Sequence, residues 1–549
     1  MKSILLTSVV ILCTTFTNLS AQSQEIPLPE HPRPDFERAE WINLNGSWNF
    51  NYDSLDQGLD EEWFVKPIFT EMITVPFPWG SKLSGVENLA DIAWYSRRLD
   101  IPLAWEGKRT FLVIGACDWY TTLWVDGTLV GTHQGGYNQF EFDLSEFVSP
   151  GKSHQLVMRV DDSPHSFKLE GKQGYGEAKG IWQTIFLESR GSISLSHLHF
   201  TPDIDKRIVR VHATLDQKAE ENMFINLVFP NMEIQGIVTS PKIEKKQEHI
   251  EFELTIPDPQ LWDLENPYLY EVKASLHNNE SVFDEVSSYF GMRKISIIDM
   301  PGSRIPYVAL NNKPIYLQLS LDQAYHPDGY YTYPSDEFMR DEIIRSKKIG
   351  LNGNRIHIKV EIPRKLYWAD KLGLLIMADV PNFWGEPGDT ARSEWEYAMR
   401  EMLDRDYNHP SIFSWVLFNE TWGLFTGKGR DRAYLPETQE WVREMFVEAK
   451  SLDQSRLIED NSPCNYDHVQ SDLNTWHAYL PGYKWKEFLD NVEENTFVDS
   501  EWNYIGGNKQ TRVPMLNSEC GNVWGYTGST GDVDWSWDYH IMMNEFRKH

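Results

Sequence analysis

The sequence predicts a multidomain β plus α/β protein: a jelly-roll β-sandwich, a second β-sandwich, and then a parallel (β/α)8-type TIM barrel that stops before its eighth strand. Three observations predict this. The chain has 549 residues, too many for one hydrophobic core. Its first part consists of short apolar runs separated by turn residues. From about residue 300 onward, strand-like and helix-like patterns alternate, as they do when helices cover a parallel sheet.

The N-terminus starts Met1-Lys2-Ser3, followed by an apolar stretch from Ile4 to Phe16 and small polar residues to Ser23. This is the pattern of a secretory signal peptide over residues 1–22, cleaved near Ala21 to Ser23. It is too short for a membrane helix. Cys13 follows Leu12, a poor context for a lipid anchor. No other segment reads as a membrane span, so the expected location is periplasmic or secreted.

Residues 25–190 carry apolar runs at Thr110–Ile114, Thr121–Val125 and Gln155–Val160, separated by Asp126-Gly127, Gly135-Gly136 and Pro150-Gly151. This is the sandwich, of jelly-roll type. Residues 191–299 form the second β-rich stretch, with clear alternation at Val209–Ala213 and Ile250–Ile256. Residues 300–549 form the barrel. Its strands are expected at Ile315–Leu319, Gly353–Ile358, Leu374–Ala378, Ile412–Asn419, Leu457–Glu459, Asn474–His477 and Val513–Ser518. Helices are expected at Ser335–Lys348, near Glu437–Ser451 and from about Trp535.

Composition narrows the function. With 81 acidic against 51 basic residues the net charge is −30, which argues against nucleic acid and anionic membranes as partners. The 22 Trp and 24 Tyr suit stacking on sugar rings, although most such rings belong to cores. Beyond the signal, Cys117, Cys464 and Cys520 are odd in number and widely spaced, which gives neither a disulfide framework nor a zinc pattern.

Two segments carry the chemistry. Ser414–Glu420 and Pro514–Gly521 each contain an apolar run that leads to a glutamate, Glu420 or Glu519, with loop residues after it. Such a run reads as a buried parallel strand, and barrel enzymes keep their catalytic groups at the C-terminal strand tips. Two carboxylates on different strands supply what a retaining glycosidase needs, an acid/base and a nucleophile about 5 Å apart. An acid/base must be protonated first and ionised later, so burial and a neighbouring carboxylate should raise Glu420, while Glu519 stays ionised.

These residues also carry a resemblance. Asn419-Glu420 and Ser518-Glu519 followed by Gly521 resemble glycoside hydrolase family 2, which contains β-galactosidases, β-glucuronidases and β-mannosidases. Pro32-Arg-Pro34 with Trp41–Phe50 resembles the start of that family's first domain, Gly180-Ile-Trp-Gln183 its end, and Phe290-Gly-Met-Arg293 the entry to its barrel. Trp262 and Asn266–Tyr270 resemble its immunoglobulin-like domain.

The resemblance implies Glu420 as acid/base, Glu519 as nucleophile, Asn419 on the sugar 2-hydroxyl, and Arg355 as the guanidinium that keeps the nucleophile ionised. His477 and Tyr479 follow strand six, where relatives place a group touching the nucleophile; His477 is favoured as nearer the strand tip. His357, Asp322, Gln323 and Trp384 come from the ends of strands one to three and are substrate-contact candidates. Lys359 could reach an acidic sugar group.

The departures matter too. Ala378–Glu386 lacks the glutamate and histidine that bind magnesium in well-known bacterial β-galactosidases, so no metal or other cofactor is expected. Asn508-Lys509 precedes the nucleophile, whereas the uronate-reading pair of β-glucuronidases follows it. Cys520 stands where an aromatic residue is more common.

The expected protein is an exported retaining exo-β-glycosidase acting on terminal sugars of plant or algal cell-wall glycans. Galactose, glucuronic acid, xylose, mannose and arabinopyranose all stay open, as do a non-catalytic carbohydrate-binding relative and a homo-oligomer. Since no eighth strand or helix can be found before His549, the chain is expected to be a fragment or shortened product, poorly active and with a slot in its barrel wall.

Overall fold

The computed structural model describes residues 26–171, 177–231, 237–303, 305–480 and 484–520. The signal segment 1–22 and the helix expected near Trp535 lie outside the described residues.

Two antiparallel sheets form the first domain. One runs Glu71–Val75, Gly46–Tyr52, Ile92–Asp100, Ser153–Asp161, Tyr120–Val125, Thr128–Gln134. The other runs Trp41–Asn43, Ile185–Arg190, Arg109–Ile114, Phe140–Asp143. Period-two alternation sets the packing. In Gly46–Tyr52, Trp48 and Phe50 are buried while Ser47 and Asn49 are exposed. Their core joins Trp79, Tyr95, Leu112 and Met158.

The Gly180-Ile-Trp-Gln183 segment docks this sandwich on the barrel. Gly180 has φ +76°, and a Cβ there would collide with the Tyr95 hydroxyl and the Trp79 ring. Trp182 donates from its indole N–H to the Gly136 carbonyl at 2.7 Å, and its own carbonyl accepts from the Thr332 hydroxyl at 2.6 Å.

The second domain packs Leu195–Asp203, Ile208–Leu215 and His249–Thr255 against Val238–Thr239, Phe224–Val228, Tyr270–His277 and Val282–Phe290. Fully buried Trp262 leaves this sandwich and donates to the Asp370 carbonyl of the barrel at 2.7 Å. Arg293 then spreads over the barrel floor, donating to the carbonyls of Pro410, Ser455 and Ile412 at 3.2, 2.9 and 3.1 Å.

The barrel strands are β1 (Leu319–Asp322), β2 (Gly353–Ile356), β3 (Leu375–Asp379), β4 (Ile412–Asn419), β5 (Leu457–Ser462), β6 (Asn474–His477) and β7 (Met515–Glu519). β1 to β5 form one parallel sheet in chain order, and β6 pairs parallel with β7. Among the described residues no strand joins β7 back to β1. The helices are α1 (Asp336–Lys348), α2 (Pro363–Leu372), α3 (Asp389–Arg405), α4 (Pro436–Leu452) and α5 (Trp485–Asn495).

β4 and β6 coincide with the sequence reading, and several other bounds differ. The first strand is displaced from Ile315–Leu319 to Leu319–Asp322, because Ile315 and Leu317 pack against the core at the barrel floor with Leu375 and Phe413. β5 runs on to Ser462, since its polar residues Glu459 to Asn461 are buried inside the fold. α2, α3 and α5 went unread. α2 carries the Pro-first, Gly-last signature, with Pro363 in its first turn and Gly373 at φ +72°. No helix among the described residues is long and apolar enough to cross a membrane.

Gly180→Ala should combine a left-handed backbone cost of about 1 kcal/mol with overpacking of about 1–3 kcal/mol. We expect a clear drop in the first melting transition; a melting curve matching the parent's would overturn this account of the motif.

Candidate active site

The two glutamates meet at the C-terminal mouth of the barrel. Glu420 follows β4 in a left-handed turn, with φ +51° at Glu420 and +61° at Thr421. Non-glycine residues adopt this conformation at a cost, so the neighbourhood must hold it. It does so from the β5 side. Glu420 N–H donates to the Ser462 carbonyl at 2.8 Å and Thr421 N–H to Asn461 Oδ1 at 3.0 Å. The Thr421 hydroxyl donates to Asp467 at 2.6 Å, and Asn461 Nδ2 donates to the same carboxylate at 3.0 Å.

Glu519 ends β7 and is 9% exposed. Arg355 Nη1 donates to its Oε1 at 3.3 Å, and the Tyr479 hydroxyl donates to Oε2. His357 Nε2 and His477 Nε2 each lie 3.5 Å from Oε1. His477 Nδ1 lies 2.8 Å from Glu420 Oε1, so its ring stands between the two carboxylates. One ligand atom each from Glu420, His477 and Glu519 lies within 4.8 Å of the others. This trio is the group among the described residues whose spacing could hold a cation.

Arg355 organises the mouth. It donates to Asp379 from Nε at 3.0 Å and from Nη2 at 2.7 Å, and to Asn419 Oδ1 at 2.8 Å. Burial alone would lower its pKa, but Asp379 and Glu519 more than offset this and hold it above the ordinary arginine value. Asn419 is fixed at its backbone N–H by Asn382 Oδ1 at 2.8 Å. Its Nδ2 is buried with no protein partner among the described residues, an unused donor at the mouth. Burial and the adjacent Glu519 charge both push the Tyr479 hydroxyl up, so it remains a donor.

The structure thus brings Glu420, Glu519, Asn419, Arg355, His477, Tyr479 and His357 together. Sequence reasoning favoured His477 as the group on the nucleophile. The direct hydrogen bond comes instead from Tyr479, whose longer side chain reaches Glu519 while His477 turns Nδ1 towards Glu420. Gln323 acts through His357, its Oε1 accepting from the Nδ1–H at 2.9 Å. Asp322 is committed elsewhere, to Lys365 at 2.7 Å and the Ala324 N–H at 2.7 Å. Trp384 is 50% exposed, with its indole N–H on the Gly171 carbonyl at 3.2 Å and its ring edge-on to Trp422 at 5.5 Å.

Lys359 does not face a sugar. It is fully buried, its ammonium 5.4, 5.0 and 5.0 Å from the rings of Trp182, Tyr331 and Tyr333, and it donates to Glu361 at 3.1 Å. Lys509 lies near Glu501 at 3.8 Å and Asn508 bonds Arg443 at 2.8 Å, so neither belongs to the cluster around Glu519. Cys464 and Cys520 are exposed free thiols and Cys117 is a buried one. Asp379, Asn382 and Ser462 were missed. Asp379 offered a signal, an acidic residue at the end of an apolar strand run.

Two sandwiches leading into a parallel barrel with paired strand-tip carboxylates define the multidomain barrel class of carbohydrate-active proteins. Residues 42–189 match the sugar binding domain of glycosyl hydrolases family 2, residues 193–293 the domain described simply as glycosyl hydrolases family 2, and residues 307–540 that family's TIM barrel domain. The chain belongs to glycoside hydrolase family 2.

It is 25% identical over 544 residues to a β-galactosidase of Leuconostoc mesenteroides subsp. mesenteroides, covering 90% of this chain. It is 24% identical over 471 residues to a β-glucuronidase of Bacteroides fragilis, covering 80% of this chain. The chain spans half to two thirds of the length of these curated relatives, 49% and 63% respectively. A solved β-glucuronidase from Ruminococcus gnavus, in complex with D-glucuronic acid, superposes with a TM-score of 0.73 at 18% identity, covering 95% of this chain and 91% of that one. At that identity the likeness speaks for the fold alone.

Arg355→Gln leaves Asp379 buried without its guanidinium, which should destabilise the protein by about 3–5 kcal/mol. The loss should shrink as pH falls from 7 towards 4, because burial already raises the Asp379 carboxyl and removing the guanidinium raises it further, so the orphaned group takes up a proton above the ordinary aspartate range. A melting-temperature gap between parent and variant that stays constant from pH 7 to pH 4 would refute this role.

Proposed function

We propose that the protein is an exported, retaining exo-β-glycosidase that removes terminal neutral sugars, of the β-galactose type, from plant or algal cell-wall glycans. The observation that carries this reading is the pair of strand-tip carboxylates with oxygens within 4.8 Å of each other. Retaining glycosidases keep their carboxyl groups about 5–5.5 Å apart, whereas inverting ones leave room for a water at about 6.5–9.5 Å.

In the first step Glu420 gives its proton to the glycosidic oxygen while Glu519 bonds to the anomeric carbon from the opposite face. The leaving alcohol departs. In the second step Glu420, now ionised, takes a proton from water as the water oxygen displaces Glu519. Arg355 and Tyr479 fit the nucleophile's needs: they favour its charged form before attack and again as it leaves. The unused Asn419 Nδ2 suits an acceptor on the sugar, the 2-hydroxyl.

A neutral sugar is favoured over an acidic one because Lys359, the lysine read as able to reach an acidic group, is enclosed by Trp182, Tyr331 and Tyr333. Export is supported by the leader-like start of the sequence, and an exported enzyme of this kind meets polymeric glycans.

A panel of nitrophenyl β-glycosides tests the sugar and separates an enzyme from a binding relative. We expect turnover of the galactoside above the glucuronide, and proton NMR at early times showing the β-anomer as first product. The α-anomer first would eliminate retention, and no turnover with retained sugar binding would favour the binding relative.

Glu519→Gln should abolish turnover. Glu420→Ala should lose mainly substrates with poor leaving groups, and added azide should rescue it on activated aryl glycosides with a β-glycosyl azide as product. A β-glycosyl azide formed by the Glu519 variant in its place, with retention, would reverse the two roles.

A further inference from the structure

Glu459, on β5, sits in the barrel interior beneath the catalytic mouth and is fully buried. One oxygen is bonded to the Thr475 hydroxyl of β6. The other has no partner among the described residues. The charged groups packed around it come from the neighbouring elements: Arg355 from β2, Asp379 from β3 and His468 from the loop after β5. His468 is already matched by Asp460, Nδ1 to Oδ1 at 2.7 Å. Among the described residues the remaining local cation is Arg355, and its hydrogen bonds go to Asp379, Asn419 and Glu519, with none to Glu459. One guanidinium therefore faces three buried carboxyl groups, Asp379, Glu459 and Glu519. A medium of low dielectric does not tolerate that surplus of negative charge, so one of the three must carry a proton. Asp379 holds two short bonds to Arg355 and Glu519 has Arg355 and Tyr479, which leaves Glu459 as the group without a charge-stabilising donor beyond one hydroxyl.

We propose that Glu459 is a positioning residue that stays protonated during turnover, so that the single charge of Arg355 remains shared between Asp379 and the nucleophile. Its ionisation would add a competing carboxylate in the same layer and draw the guanidinium from Glu519, the weaker of its ionic contacts at 3.3 Å. Burial pushes the Glu459 carboxyl up to about 7, partly offset by Arg355, which places the change within a measurable range. The inference rests on the glycosidase reading of this site.

Glu459→Gln mimics the protonated form. The ratio of variant to parent kcat/KM on an aryl glycoside should rise several-fold between pH 5.5 and pH 8, because only the parent gains the buried charge. Thr475→Val, which removes the hydroxyl favouring the ionised form, should shift the parent's alkaline limb to higher pH. A ratio that is flat or falls with pH would overturn the proposal, as would an unshifted limb in a folded Thr475→Val protein. A second readout needs no turnover. A carboxyl whose pKa is raised on folding loses stability as pH climbs from its unfolded value through its folded one, so the parent should lose melting temperature relative to Glu459→Gln by about 2 °C or more between pH 5 and pH 8. If the parent hydrolyses no glycoside yet this difference appears, the glycosidase reading fails while protonated Glu459 stands; a constant difference removes the proposal itself.

Discussion

The buried guanidinium of Arg355 is the contact on which the catalytic mouth depends. It ties β2 to β3 through Asp379, to β4 through Asn419 and to β7 through Glu519. Parallel strands offer side chains at their tips but do not by themselves set the distances between tips four strands apart. A planar donor with several fixed N–H directions does so, which a lysine in the same place could not. The barrel interior around it is correspondingly polar, and its charges balance only as a group.

A second set of contacts supports the mouth from outside. The caged ammonium of Lys359 donates to the carbonyls of Ala324 and Tyr331 in the loop after β1, at 2.8 and 3.0 Å, and its cage includes Trp182 from the first sandwich. That loop presents Gln323 to His357, and His357 faces Glu519. The sandwich is thus connected through a chain of packed groups to the nucleophile.

Much of this was legible in the sequence because it is local. A run such as Ile412–Asn419 is apolar on both faces, and the polar residue that ends it marks the strand tip without reference to the rest of the fold. Glu420, Glu519 and Asn419 stand at such breaks, whereas Arg355 came from the family resemblance. What stayed hidden depends on partners distant in sequence. Lys359 reads as a surface lysine until Trp182 and Tyr333 enclose it. Glu459 reads as the polar end of a short strand, because nothing local reveals that Thr475 bonds it from β6 or that Arg355 on β2 faces it. The first strand was misplaced for a related reason: Ile315 and Leu317 are apolar because they seal the floor, while the true strand gives its less apolar residues to the mouth.

The seam between the first sandwich and the barrel rim has a consequence for how such proteins diversify. Glu170 and Gly171 N–H groups pair with the Asn382 carbonyl at 3.0 and 3.2 Å, and the Gly171 carbonyl receives the Trp384 indole. Asn382 in turn holds the backbone of Asn419. A sandwich exchanged between relatives would therefore carry part of the rim geometry with it, so the two modules are heritable as one unit, and recombination at their joint would change what the mouth admits along with the domain that is swapped.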